Sequence, residues 1–321
     1  REIKLIKKLS RHGDSWVKYN LAHAATRFPE ERKVQAIQFL TSIEFGNDHA
    51  LADEILQQFN KYSKLSYSDL SDEEVEVILT RMVALDTIDD HHVYLFLKEL
   101  SLTKPHSILQ LMFNRVQQEK EKIKESKKGL GRYAAIPYAW GEGSRFLFHK
   151  SPQHQAILEA IRDWTNEGPN DWYRLHYGAK LFRIVSPNYD DTALRVLDAW
   201  LVSPNRNQFE TAAALLSEAR SPFVWNKSDL MERILDRAQQ FGESCYKRIT
   251  SMFYSSIVNV SKTGTVGEPF PQDIEQRNRS QEIMAKLPVG SPAYKFYKML
   301  YESALENIHR KDERDKDRMG D

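Results

Sequence analysis

Apolar residues recur along this chain at the three-to-four-residue spacing of helices that bury one face. Val75, Ile78, Leu79 and Met82 form one such face, and Ser71 with Glu74 stands ahead of it as a capping box. Ile108, Leu109, Met112, Phe113 and Val116 form another behind Pro105, a residue suited to a first helical turn because its φ is preset. Tyr294, Tyr297, Tyr301, Leu305 and Ile308 form a third, again behind a proline. Strict alternation over strand lengths is scarce, and only a short hairpin over 134–138 and 146–148 stays open beside the helices. The pattern predicts helices over 14–27, 30–45, 48–59, 72–85, 91–101 and 105–126. After an interruption come 152–166, 172–185, 189–202, 207–218, 228–240, 243–256, 272–286 and 292–310. Short connections make consecutive helices antiparallel neighbours, so they pair into hairpins.

A longer period lies over the helical one. Ser151-Pro152, Ser186-Pro187 and Ser221-Pro222 are separated by two steps of about 35 residues, and Ser291-Pro292 falls two further steps on. Ala156-Ile157-Leu158 leading to Trp164 matches Ala193-Leu194 leading to Trp200, which reads as packing between hairpins. The expected fold is all-α: a right-handed α-solenoid of about seven antiparallel hairpins interrupted by one long loop. Its parts are N-terminal repeats over 1–126, the loop over 127–151, C-terminal repeats over 152–310 and a charged tail over 311–321.

Hairpin units of this length resemble the HEAT-like and tetratricopeptide-like α-solenoids. Small-residue and aromatic positions do not recur in the tetratricopeptide register, so HEAT-like is the nearer label. The resemblance implies an interaction scaffold whose superhelical groove binds a partner. Such arrays form the recognition part of larger multidomain proteins, bacterial defence ATPases among them. No family motif marks a functional residue here.

Composition narrows the function classes. The chain of 321 residues is 41% hydrophobic and 28% charged, with a formal net charge of +1. A protein given over wholly to nucleic acid or an anionic membrane would be more basic, so any such binding must come from a local patch. Cys245 is the only cysteine, which rules out an internal disulfide framework and fits a reducing compartment. No apolar run approaches the roughly 20 residues of a bilayer span, and no signal-peptide pattern stands at the start. A cytoplasmic protein without membrane contact is expected. The basic, helical-looking opening at Arg1, Lys4, Lys7, Lys8 and Arg11 reads as the middle of something longer.

Candidate chemistry concentrates in the interruption. Lys120, Lys122, Lys124, Lys127 and Lys128 lead into Gly129-Leu130-Gly131-Arg132, followed by Tyr133, Tyr138, Trp140 and Arg145. Cations beside exposed aromatic rings are what single-stranded nucleic acid requires. Against that, Glu119, Glu121 and Glu125 interleave with the lysines, as on a solvated helix end. The candidate binding residues are Lys124, Lys127, Lys128, Arg132, Tyr133, Trp140 and Arg145. Asp89-Asp90-His91-His92 is the one compact metal-capable run, but neighbours on a helix point about 100° apart, so an N-cap is favoured over a metal site. A second long loop, 262–271, reads as a connection bridging a skipped repeat position. The charged stretch beyond His309 reads as a helical end without apolar anchors.

No His-Glu-x-x-His, Gly-x-Ser-x-Gly or phosphate-loop pattern occurs. Asp163 beside Trp164 and Asp198 near Trp200 match a base-excision glycosylase only superficially. The expected function is a non-catalytic scaffold or sensor region that binds a protein partner, with no cofactor. The alternative is a nucleic-acid-binding module using 120–145.

Overall fold

Local signals form the helices that the pattern predicts. The computed structural model describes residues 14–25, 27–59, 64–125, 133–137, 146–168, 171–219, 221–258 and 261–319. In it the amide of Glu74 donates to Ser71 Oγ at 3.2 Å, and the amide of Ser71 donates to Glu74 Oε2 at 2.9 Å. That reciprocal pair satisfies two amides that the first helical turn leaves without partners. Behind it Val75, Ile78, Leu79 and Met82 are all buried. Every regular element among the described residues is helical, so the chain is all-α. The segment 133–137 carries no strand and Phe148–Lys150 is a 3-10 turn, so no hairpin forms over the described part of that region. No helix among the described residues is long and apolar enough to cross a membrane.

The chain divides into two compact units, Arg1–Leu158 and Glu159–Asp321. The first contains α1 (Ser15–Ala25), α2 (Lys33–Ser42), α3 (His49–Gln57), α4 (Asp72–Met82), α5 (His91–Thr103) and α6 (Pro105–Glu125). Alternate helices stack into two layers: α1 on α3 on α5, and α2 on α4 on α6. A helix in such a layer is flanked on both sides, which is why its apolar stripe is wide.

The second layer is joined by arginines that donate to the end of the preceding helix. Arg81 of α4 donates through Nη1 to Thr41 O at 2.5 Å and Ile43 O at 3.1 Å, at the end of α2. Arg115 of α6 donates through Nη1 to Met82 O at 2.6 Å and Leu85 O at 2.7 Å, at the end of α4. Its other nitrogens reach Ala134 O at 2.6 Å and Ala135 O at 3.0 Å. Arg115 is fully buried, and burial lowers the pKa of both guanidiniums from the ordinary arginine value. The last carbonyls of a helix lack intrahelical partners and sit at the negative end of its dipole, so a guanidinium answers both needs.

The second unit holds most of α7 (His154–Asn166), then α8 (Trp172–Val185), α9 (Asp191–Leu201), α10 (Arg206–Leu216), α11 (Ser221–Asn226) and α12 (Ser228–Gln240). It closes with α13 (Glu243–Val258), α14 (Pro271–Met284) and α15 (Pro292–Met319). The starts of α7, α9 and α12 at 154, 191 and 228 give two equal steps of 37 residues. The arginine device recurs here: Arg237 of α12 donates to Ser203 O at 2.8 Å, just beyond α9. Layering places α8 on α10 on α13, and α10 is buried at every position from Phe209 to Leu216. Its run of Ala212, Ala213 and Ala214 lets its neighbours approach from all sides.

The Ser-Pro pairs open helices less uniformly than their spacing implies. At Ser291 the hydroxyl accepts from the amide of Tyr294 at 3.1 Å and Pro292 begins α15, as expected. Ser186-Pro187 instead starts a turn through Tyr189, whose φ of 49° is rare outside glycine. Asp190 then caps α9 by accepting from the amide of Ala193 at 3.0 Å. Ser221-Pro222 opens the short α11, which the apolar spacing does not reveal.

The last hairpin departs from the stacking order. α15 packs on α14 and on α12, while Tyr246 and Tyr254 of α13 donate to Pro292 O at 2.8 Å and Ser303 Oγ at 2.9 Å. Tyr297 is fully buried and donates to Val224 O of α11 at 2.9 Å. The buried stripe of α15 is Ala293, Phe296, Tyr297, Leu300 and Ala304, then Lys311 and Asp315. The expected face is therefore rotated: Tyr294 and Tyr301 flank the stripe and Leu305 is 39% exposed.

Removing a buried donor strands several carbonyls at once, whereas Arg81 is partly solvated. Arg115→Met is expected to cost about 3 kcal/mol or more and Arg81→Met about 1 kcal/mol. Urea unfolding followed by circular dichroism measures the difference, and equal losses would contradict the ranking.

Candidate interaction surface

The structure describes residues 133–137 and 146–151 of the interrupted region. Lys124 lies exposed on the last turn of α6. Lys127, Lys128, Arg132, Trp140 and Arg145 lie outside the described residues. Tyr133 is buried, at 6% exposure, rather than presented to solvent. Its hydroxyl donates to Val83 O at 3.0 Å, and burial pushes its pKa up to about 12. Arg115 Cζ stands 4.7 Å and Lys122 Nζ 4.0 Å from its ring centroid. The ring already has protein cations against it, so it is no free platform for a base. Of the sequence candidates, the structure thus describes Lys124 and Tyr133 and does not bring them together as one surface.

The Asp89–His92 run caps no helix by itself. The Asp90 side chain makes no cap hydrogen bond and instead meets His49 Nδ1 at 3.0 Å. The amides of His92 and Val93 donate to Asp53 Oδ1 of α3 at 2.6 and 3.2 Å. A carboxylate from the neighbouring hairpin therefore does what Asp90 was expected to do, because the stacking of α3 on α5 brings it to the helix start. Among the described residues no group of three or more His, Cys, Asp or Glu side chains is arranged to hold a metal.

Trp164 and Trp200 are half-buried, and each meets an arginine: Arg174 Cζ at 5.2 Å and Arg162 Cζ at 4.5 Å from the ring centroid. Arg162 comes from the preceding hairpin, whereas Arg174 belongs to the hairpin of Trp164 itself. The two tryptophans are thus equivalent in sequence and only partly equivalent in packing.

Cys245 is buried against a charged cluster between α10 and α13. Burial and the Glu210 carboxylate push its thiol up to about 12, so it remains a donor. Glu210 accepts from Arg206 Nε at 2.7 Å and from Arg248. Burial alone would raise its pKa, but hydrogen bonds from Arg206, Arg248 and Cys245 outweigh it and hold the carboxyl below its ordinary value. A depressed carboxyl contributes stability above its unfolded pKa and loses it as pH falls through the folded one. Melting curves taken from neutral pH down to about pH 3 should show a shallower acid loss in Glu210→Gln than in the parent protein. Parallel curves would remove Glu210 from the acid transition.

Sequence reasoning missed the aromatic face of α8. Asp171 caps this helix, accepting from the amide of Tyr173 at 3.1 Å, and so directs Trp172 outward from the first turn. Trp172 is 69% exposed. Its ring centroid lies 5.2 Å from Tyr173 and 6.2 Å from His176, and Tyr177 lies 5.0 Å from Tyr173 and 5.3 Å from His176. Lys180 Nζ sits 5.6 Å from the Tyr177 centroid. The sequence signal was available: Trp172, His176 and Lys180 are spaced by four along one helix face.

No protein-family model matches the chain, and no curated protein matches it significantly.

Proposed function

We propose that this chain is a non-catalytic, HEAT-like helical scaffold that binds a protein partner, and that α8 carries a principal contact. The observation behind this reading is the exposed Trp172 at the head of an aromatic ladder. Tryptophan and tyrosine supply large contact area for little lost side-chain freedom, and they dominate the energetics of protein interfaces. Stacked hairpins hold the ladder on a helix backed by α10, which keeps the surface preformed and reduces the cost of ordering it.

Charge favours a protein over a nucleic acid at this face. Arg174 is paired with Glu167 at 2.7 Å and Arg183 with Glu218 at 3.0 Å. From 167 to 183 three basic residues stand against two acidic ones, a weak field for a polyanion. Cytoplasmic residence is part of the same proposal, since the lone cysteine fits a reducing compartment.

The test is capture of a partner from the native host on immobilised protein, followed by titration of the recovered partner against the parent chain and Trp172→Ala. Loss of a central tryptophan should weaken binding roughly thirtyfold. Unchanged affinity in the variant would overturn the role of α8. Salt-sensitive binding of labelled single-stranded DNA or RNA that disappears in Trp172→Ala would replace the protein reading with a nucleic-acid one.

A further inference from the structure

The last hairpin carries a groove that the α8 face does not use. It has a volume of about 610 Å³ and is lined by Pro269, Pro271, Ile274 and Asn278 together with Glu268, Glu275, Arg279 and Glu282. Its lining sets the apolar Pro269, Pro271 and Ile274 among carboxylates. Three carboxylates face one guanidinium, and Arg279 meets Glu282 at 3.8 Å as an exposed pair of little intrinsic strength. Glu275 and Glu282 lie seven residues apart on α14, hence ~10.5 Å along its axis.

One wall is held by charges that the sequence assigned to a solvated tail. Lys311 Nζ donates to Thr265 O at 3.1 Å and pairs with Asp315, and both residues are buried. Asp315 Oδ2 accepts from the amide of Gly267 at 2.7 Å. Gly267 has a φ of 84°, a conformation that suits glycine. Lys311 Nζ also stands 5.0 Å from the Phe270 centroid. At the base, Lys262 pairs with the fully buried Asp273 at 2.6 Å. These contacts fix 262–270 against α14 and α15, so Glu268 and Pro269 form a preset wall.

We infer that this groove docks an extended segment of a partner protein that carries basic side chains three residues apart with apolar residues between them. The inference rests on the protein-binding reading of the scaffold, though not on the α8 face. In an extended chain, residues three apart are separated by ~10 Å, matching Glu275 and Glu282. Intervening proline or leucine fits the apolar lining of Pro269, Pro271 and Ile274. The unbalanced charge supplies attraction and selects against acidic segments.

The test uses fluorescence anisotropy with two labelled peptides of one composition. In the first, Lys-Pro-Leu triplets repeat; in the second, the lysines are gathered at one end. The protein should bind the triplet peptide on the order of tenfold more tightly than the other, and added salt should weaken it. Glu275→Lys with Glu282→Lys, both on the exposed face of α14, should lower affinity at least roughly tenfold while leaving helicity unchanged. Glu275→Gln should produce a smaller loss in the same direction. Asp315→Ala should weaken binding by releasing the wall. Absence of binding, or equal affinity for the two peptides or across the variants, overturns the inference. Self-association in sedimentation that is lost on charge reversal would overturn it too, by showing a second copy as the occupant. Trp172→Ala should bind the triplet peptide like the parent protein. Failure of the α8 reading with an intact peptide response, or the reverse, therefore separates the two surfaces.

Discussion

A helix that ends inside a stack leaves carbonyls pointing at its neighbour, and the arrangement of this protein depends on how those carbonyls are answered. Arg81 and Arg115 answer them in the first unit and Arg237 in the second, each from a later helix onto the end of an earlier one. Apolar stripes alone would let stacked helices slide along one another, because hydrophobic attraction is not directional. A guanidinium has a fixed fork of donors and accepts only a narrow range of carbonyl positions. Where these arginines act, the stack draws its attraction from leucine, isoleucine and phenylalanine and its register from arginine. Arg115 goes further, since it also holds Ala134 and Ala135 and so ties that part of the interruption to the middle of α6 and the end of α4.

The same economy explains why charge is a poor guide to binding surfaces in this sequence. Lys122 and Arg115 stand against the Tyr133 ring, Arg206 and Arg248 share Glu210, and Lys311 with Asp315 holds a loop. Each of these residues would count as free surface charge in a composition, yet each is engaged by another group of the fold. Within the basic, aromatic run of the interruption, Tyr133 is buried in this way. The proposed surfaces lie elsewhere, on α8 and α14.

Helix positions were legible because they depend on neighbours in the chain. The Ser71–Glu74 box, Pro105 at the start of α6 and the apolar faces of α4 and α6 all involve residues within a few positions of one another. What the sequence did not show depends on partners far along the chain. The cap on α5 comes from Asp53, about forty residues away, and no local pattern could rank it above Asp90. The face of α15 was misjudged because tyrosine is amphipathic and can edge a core as readily as fill it. Its true stripe continues into Lys311 and Asp315, which read as solvated until the loop that buries them is in place. Arg115 left a trace, as a charge between Met112 and Val116 on an apolar face.

The two proposed surfaces differ in what fixes them, and that difference follows from position in the stack. α8 lies within the repeating part, beside α10, and its aromatic ladder runs from the exposed Trp172 and His176 through the half-buried Tyr177 to the buried Tyr173. α14 belongs to the final hairpin, where the stacking order changes and α15 rather than α14 packs on α12. In that hairpin α14 keeps Glu275, Asn278, Arg279 and Glu282 exposed, and the loop before it is secured by other means. A buried ion pair that also serves a backbone amide and a carbonyl does this, because each charge meets both its counterion and a polar group of the loop. Lys311 and Asp315 are thereby structural, and the loop they secure supplies Glu268 and Pro269 to the groove.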